Sequence, residues 1–527
     1  MVTYRNALNR AIATALNYLR TDTVLHNTPR PMTSADHRLP LRWNAPVSAF
    51  RLPVLALMLT LTGTAFGNTD LQVRNIQLIS LAETTGETRL LFDLSWSNAW
   101  RSDRNHDAAW IFVKVIGEAG QFHVRIAPDG HRVQDITGDP TVEGRIDVSE
   151  DNAGLFVYPA GEYRGGVSWR LSIRLDSEQI EEAVRAAGDN VRVSVFGIEM
   201  VYIPPGPFYA GDPDEAATQF TSFYASDGNG GAADFFHIDS EDPIPVGPNA
   251  GELHYIEAEY GGDRGGPIPA AFPKGTRPFY IMKYELSQGQ YVNFLSSIGD
   301  DAAYRAHFDD DTYEAKRGTI RYESGHYVAG VPHRPLNFMQ WDDGLAFADW
   351  AGLRPMTEFE FAKAARGPDR PAPRSFPWGD DSRERLARIV GTEDDLIMTN
   401  GWDESRLTDA TRPLFGASFY WVMDLAGSVW ERVVTPSRSD GRVFTGSHGD
   451  GVLGEMGRAT NDDWPHGYLE REGHGYRGGG FYDQGRPAHE FNPWSPVAYR
   501  RFGGWSGHDP HRAYGFRAVR TADTEGG

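Results

Sequence analysis

The strongest constraint on this chain is the period-two alternation of large apolar residues between positions 90 and 195. Leu90, Phe92, Leu94 and Trp96 form one series, and Ile111, Val113 and Val115 a second. Trp169, Leu171, Ile173 and Leu175 form a third, and Val191, Val193 and Val195 a fourth. Successive strand residues point to opposite faces, so the pattern belongs to half-buried strands. Asp-Gly, Gly-Asp-Pro and Ala-Gly steps break the runs where turns are needed. Residues 70 to 200 are therefore expected to form an all-β, sandwich-like module, interrupted by one amphipathic helix near Ser177 to Ala187. Trp96, Trp100 and Trp110 are either core or a carbohydrate-facing platform, and alternating strand positions favour core.

At 527 residues the chain exceeds one ordinary core, and two or three domains are expected. Its 58 glycines and 33 prolines suit a loop-rich fold better than a helical bundle. Lys and Arg number 51 against 72 Asp and Glu, a formal net charge of −21. That balance repels nucleic acid and anionic membranes and suits solubility or cation binding. Cysteine is absent, which excludes disulfides, thiolate metal sites and cysteine nucleophiles together.

Arg51 precedes a largely apolar run, Leu52 to Thr62, followed by Gly63-Thr-Ala65-Phe-Gly67-Asn68. A basic flank, a short apolar run and small residues at Ala65 and Gly67 match a secretory signal cleaved after Gly67. The run is shorter than the roughly 20 apolar residues that a bilayer span requires. Met32 would then be the start, with residues 1–31 upstream of it. The alternative is a buried strand or helix of the first domain. No second run of spanning length follows, so the mature protein is expected to be soluble and secreted, periplasmic or at the cell surface. The expected organisation is an extension with signal over 1–67, the β module over 68–198 and a further domain over 199–522.

Residues 211 to 275 are acidic, glycine-rich and without periodicity, the mark of a functional or solvated loop. Asp227-Gly-Asn229-Gly-Gly-Ala-Ala-Asp234 alternates oxygen ligands as a calcium loop does, but lacks the glutamate at position 12. A solvated acidic loop is the reading it favours.

Beyond Met200 the motifs become specific. They are Met200-Val-Tyr-Ile-Pro-Pro-Gly-Pro-Phe-Tyr-Ala-Gly211, Phe279-Tyr-Ile-Met-Lys-Tyr-Glu285 running on to Tyr291 and Phe294, and Pro335-Leu-Asn-Phe-Met-Gln-Trp341 running on to Trp350 and through Arg354 to Gly367. Then come Phe376-Pro-Trp378-Gly379, Met423-Asp-Leu-Ala-Gly427-Ser-Val-Trp430-Glu431, Arg477-Gly-Gly-Gly480-Phe and Gly515-Phe-Arg517. Thr357 followed by Glu360 predicts a capped helix start, with Phe361, Ala364 and Ala365 on its apolar face. Trp341, Leu345 and Ala348 mark one side of another helix.

Seven motifs in one order over about 320 residues resemble the formylglycine-generating enzyme (sulfatase-modifying factor) family. The resemblance implies an α+β, C-type-lectin-like domain over 199–522, with loops held by buried Trp and Arg networks. The family's oxidases use paired copper-binding cysteines, and an ungapped carry-over puts Asp483 and Ala488 at those positions. Cuprous ion is held chiefly by sulfur, so oxidase chemistry is not expected. Related sulfoxide synthases add a helical domain bearing three iron-binding histidines, for which the β module shows no counterpart. The resemblance also implies a calcium site at Asp424, Gly427, Val429 and Glu431, carboxylate and carbonyl oxygens suited to that ion. The alternative there is a buried acid paired with an arginine such as Arg432. Between Gly480 and Gly515, Asp483, His489, Phe491, Asn492, Trp494, Tyr499, Arg501, Trp505 and His508 interleave rigid anchors with adaptable polar groups, as recognition surfaces do. In this fold the same segment is the ligand face of variable proteins diversified by retroelements. The reading favoured is an exported binding protein for a protein or glycan ligand. An envelope-assembly component, or a metal-dependent enzyme using His474, Asp483, His489 or His508, are the alternatives.

Overall fold

Each alternating series lies in a strand, except that Val191 stands one residue before the fourth. Leu90 to Trp96 fall in Thr88–Arg101, Ile111 to Val115 in Asp107–Gly117, Trp169 to Leu175 in Tyr163–Leu175, and Val193 and Val195 in Arg192–Ile203. The computed structural model describes residues 71–80, 87–138, 141–309, 312–381, 408–466, 473–480, 495–507 and 509–523, together with the backbone of three short strands, Leu59–Leu61, Arg388–Val390 and Leu396–Met398. It is a mixed α/β molecule, mostly antiparallel sheet with few helices.

Thr88–Arg101 is the middle strand of a five-stranded sheet, flanked by Gln72–Ser80 and Tyr163–Leu175. Its inward side chains Leu90, Phe92, Leu94 and Trp96 share one core with Ile111, Val113, Val115, Val193 and Val195 of a second sheet. Trp96, Trp100 and Trp110 are all buried, so none forms a platform. Leu59–Leu61, inside the apolar run at 52–62, pairs antiparallel with Ile76–Leu78 at the edge of the first sheet. Among the described residues no helix is long and apolar enough to cross a membrane.

The second sheet draws on both ends of the chain. Its order is Arg354–Pro355, Ala518–Thr521, Phe279–Met282, Arg192–Ile203, Asp107–Gly117, Leu155–Pro159, Gly144–Val148. Arg192–Ile203 pairs with Asp107–Gly117 from Arg192 to Val201, and with Phe279–Met282 from Met200 to Ile203. One strand therefore runs through position 198 and carries the sheet from the N-terminal module into the C-terminal domain. Asp107–Gly117 is buried on both faces for the same reason. Ile111, Val113 and Val115 face the first sheet, while Ala108, Trp110 and Phe112 enter a second core with Met200, Tyr280, Phe294 and Trp350. Trp110 Nε1 donates to the Ala351 carbonyl at 2.9 Å, and the Phe112 and Trp350 rings meet edge to face at 5.1 Å.

The helices start where their caps dictate. Asp176 caps Ser177–Ala186, and Thr357 with Glu360 forms a capping box on Glu358–Arg366, which Gly367 ends at φ 78°. Trp341–Trp350 departs from the amphipathic expectation, being buried on every side. Its interior carboxylates are satisfied: Asp343 by Arg305 at 3.0 Å, and Asp349 by the Asp450 and Thr460 amides at 3.0 and 2.9 Å. Residues 211–275 are also more ordered than their polarity suggests. Tyr224–Ser226 pairs with Ala232–Asp234 and Leu253–His254, and Phe223, Phe236 and Ile238 reach the second core. Scattered aromatics supply that burial without any period. The Asp227 carboxylate accepts from the Asn229 and Gly231 amides of its own loop at 2.7 and 3.0 Å.

Candidate functional site

Trp430–Val434 is the middle strand of three, antiparallel to His474–Arg477 and parallel to Tyr514–Phe516. The chain enters it through a tight turn in which Asp424, Gly427 and Ser428 have φ of 62°, 86° and 62°. Gly427 suits that backbone, and its amide donates to the Gly478 carbonyl at 2.9 Å. Strand alternation then sends Glu431 and Arg432 to opposite faces.

On the first face, Arg517 places Nη2 and Nε on Glu431 Oε1 at 2.6 and 3.0 Å, and donates to the Met282 and Met423 carbonyls at 2.7 and 2.8 Å. The arginine paired with Glu431 is thus Arg517, since Arg432 points the other way. Glu285 lies beside this pair and accepts from the Val429 amide at 3.0 Å. Burial pushes Glu285 up to about 7, and the Glu431 carboxylate adds to the shift. Burial raises Glu431 as well. Among the described residues, Glu431 Oε2 is buried without a hydrogen-bond partner.

On the second face, the fully buried Arg432 lies 5.3 and 5.5 Å from the Tyr476 and Tyr514 ring centres. It donates to the Asp509 carbonyl at 3.3 Å. The rings continue as a cluster, Tyr476 with Trp505 at 5.4 Å, Trp505 with Phe502 at 5.5 Å and Phe502 with Trp430 at 5.5 Å. Behind them Arg500 binds Glu358 at 2.8 and 3.2 Å and Ser437 at 2.6 Å, fixing the 495–507 segment to the 358–366 helix.

Of the residues expected to bind ligand, Tyr499 is 2 % exposed and stacks near Phe220 at 4.5 Å, which makes it a support for the surface. Trp505 is half-buried, and Arg501 is exposed with its guanidinium 5.9 Å from the Phe502 ring. Asp483, His489, Phe491, Asn492, Trp494 and His508 lie outside the described residues. His474 is buried and stacked on Trp341 at 4.7 Å. Asp424, Gly427, Val429 and Glu431 share the turn and its strand, and among the described residues no group of three or more His, Cys, Asp or Glu side chains is arranged to hold a metal. Glu285 escaped sequence reasoning. Its only signal is an acid inside an apolar strand-to-helix motif, and its neighbour Glu431 is distant in sequence.

Residues 247–522 match the model of the sulfatase-modifying factor enzyme 1-like domain. The chain belongs to that family. A formylglycine-generating enzyme of Thermomonospora curvata is 27% identical over 207 residues, 32% of this chain and 66% of that protein. One from Streptomyces coelicolor is 32% identical over 183 residues, 29% of this chain and 57% of its own. A hercynine oxygenase of Mycolicibacterium smegmatis is 32% identical over 119 residues, 22% of this chain and 26% of that protein. The chain thus spans less than two thirds of the length of these relatives. The match to the sulfatase-modifying factor family begins beyond the Arg192–Ile203 strand, so the strand that joins the two parts lies outside it.

Proposed function

We propose that this family member is an exported ligand-binding protein, whose C-terminal domain keeps a C-type-lectin-like scaffold for recognition and does not oxidise cysteine. The observation that carries the reading is the ring cluster of Tyr476, Phe502, Trp505 and Tyr514 around Arg432, in a chain with no cysteine. Phe502, Trp505 and Tyr514 are half-exposed over the buried Tyr476 and Arg432, and such aromatics present rigid area at little entropic cost, which is what a protein or glycan ligand needs. Binding on glycan and protein arrays should fall at least about tenfold for Trp505→Ala and for Arg501→Ala. Unchanged binding in both variants removes this surface from the proposal. A cysteine-containing sulfatase peptide should come back unoxidised, and its conversion to formylglycine would overturn the reading. Duplication of the 480–515 coding segment beside a reverse transcriptase gene would make the surface a diversified one.

Calcium belongs to the same proposal. Asp424 and the Gly427 and Val429 carbonyls offer oxygens, and Glu431 has its unpartnered Oε2 to give while Arg517 holds Oε1. Millimolar calcium should raise the unfolding temperature by a few degrees over EDTA, as binding to the native state alone does. An identical midpoint in both removes calcium.

A further inference from the structure

A separate cavity of about 750 Å³ opens where the β module meets the last strand of the C-terminal domain, between Arg101, Arg145, Tyr158, Tyr202 and Asp523. That volume suits a ligand of disaccharide size. Most of the charges on its wall are already matched. Arg104 pairs with Asp409 at 3.2 Å, Arg145 with Asp147 at 3.0 Å, and Asp129 with Arg174 at 3.0 Å. Arg101 is the exception among the cations. Among the described residues it makes no ion pair; Nη1 donates to the Pro159 carbonyl at 3.3 Å and the guanidinium lies 5.1 Å from the Tyr158 ring centre.

The wall behind Arg101 is rigid. His106 stacks on Tyr158 at 4.3 Å and on Tyr202 at 4.9 Å, and its Nε2 meets the Tyr280 hydroxyl at 3.1 Å. The Tyr158 hydroxyl donates to Asp147. Burial pushes His106 down to about 3, and the positive field of Arg101 and Arg145 adds to it. The imidazole is therefore neutral, and Arg101 is the cation left on this wall to meet an anion. Asp103 and Asp523, both exposed on the wall, offer carboxylates that accept hydroxyl hydrogens.

We propose that this cavity binds an acidic saccharide, its single negative group on Arg101 and its hydroxyls on the wall carboxylates. A planar guanidinium held against an aromatic ring is shaped for a carboxylate or a sulfate. The site is distinct from the aromatic cluster of the C-terminal domain, so its failure leaves that proposal standing.

Calorimetric titration of the full chain separates the outcomes. A galacturonosyl-galactose disaccharide, with one carboxylate, and a monosulfated galactose disaccharide are the acidic probes, and neutral galactobiose is the control. At least one acidic probe should bind, about tenfold or more tighter than the neutral one, which is the ratio that identifies the charge as recognised. Arg101→Gln should abolish that ratio, and Arg101→Lys should restore part of it. The half-exposed position lets both variants fold, and an unchanged unfolding temperature verifies it. Equal binding of acidic and neutral probes overturns the proposal, as does binding indifferent to Arg101→Gln or no binding of either acid. Binding of one acid alone tells carboxylate from sulfate.

Discussion

Glu358 is fully buried, and its carboxylate accepts from Arg500 Nε and Nη2 at 2.8 and 3.2 Å and from Thr435 Oγ1 at 2.9 Å, with Arg477 Nε 3.4 Å away. Arg500 also donates to the Thr221 and Gly261 carbonyls at 3.0 and 3.2 Å, so one side chain ties together segments far apart in sequence. Removing one partner of such a pair strands a charge where water cannot reach it. Arg500→Met should cost about 3 kcal/mol or more of unfolding free energy, measured in urea. The double variant with Glu358→Gln should recover only part of that loss, because it removes the carboxylate that Arg500 held but leaves Arg477 without its partner. A single variant as stable as the parent would show that the pair is not structural. At this scale the sequence was half legible. Thr357 and Glu360 announce their own cap because both partners lie within one turn. Glu358 sits between them, and its partner Arg500 is too distant for any local pattern to reveal. The same limit hid Arg517 from Glu431, while alternation alone was enough to rule out Arg432 once the strand was known.

The strand Arg192–Ile203 has a charged cluster at the point where it passes from one neighbour to the other. Lys283 Nζ contacts Glu199 and lies 3.3 Å from Asp107, with all three buried. Asp107 also accepts from Trp96 Nε1 at 3.2 Å and from the Trp100 amide at 2.8 Å. One ammonium serves two carboxylates, so the cluster is short of a positive charge. Burial pushes Asp107 from its ordinary 3.8 up to about 7, the Lys283 ammonium only partly opposing it. Burial alone would pull Lys283 down, but Glu199 and Asp107 outweigh it and hold the ammonium above its usual range. Between pH 4 and 7 the folded protein therefore keeps a proton on Asp107 that the unfolded chain has released, and this group's contribution to stability falls as pH rises through that window. His106 and His123, buried neutral and pushed down to about 3, act in the opposite sense between about 3 and 6.5, so the total slope is not the diagnostic. The difference from Asp107→Asn is. From pH 5 to pH 8 the variant should gain on the parent, by on the order of 1 kcal/mol for each unit of the shift that it removes. A parent-to-variant difference that stays flat across that range contradicts the assignment. Val193 and Val195 made the first half of this strand readable from alternation. Its second half pairs with Phe279–Met282, a partner that only the folded chain brings near.

At the scale of the whole molecule, the layers make the N-terminal module part of the C-terminal core. Trp110 and Phe112 lie on the far face of Asp107–Gly117, packed with Trp350, Phe294 and Tyr280. Arg520 closes the junction from the other end of the chain, meeting Asp151 at 2.5 Å with its guanidinium 4.6 Å from the Trp110 ring centre. Alternation foretold strands in the module, and motifs foretold the family, yet neither spoke to how the two meet. Alternation reports which residues are buried, and it cannot say that the outward set is buried too, against another part of the chain. A chain cut at 199 would keep every family motif and lose the strand that covers Met200, Tyr280 and Trp350. Exposing three or four large side chains costs about 1.5–3 kcal/mol each, against a total stability of roughly 5–15 kcal/mol. It would also leave Arg192–Ile203 broken, with its remnant Met200–Ile203 as an uncovered apolar sheet edge, which invites association. Residues 199–527 expressed alone should therefore be insoluble, or soluble with flat near-ultraviolet circular dichroism and rapid proteolysis. Co-expression of residues 68–198 as a separate chain should rescue part of the folded population, because the missing surface is supplied in trans. A C-terminal fragment that unfolds cooperatively by itself, at the parent's midpoint, would show instead that the sheet joins two domains each stable alone.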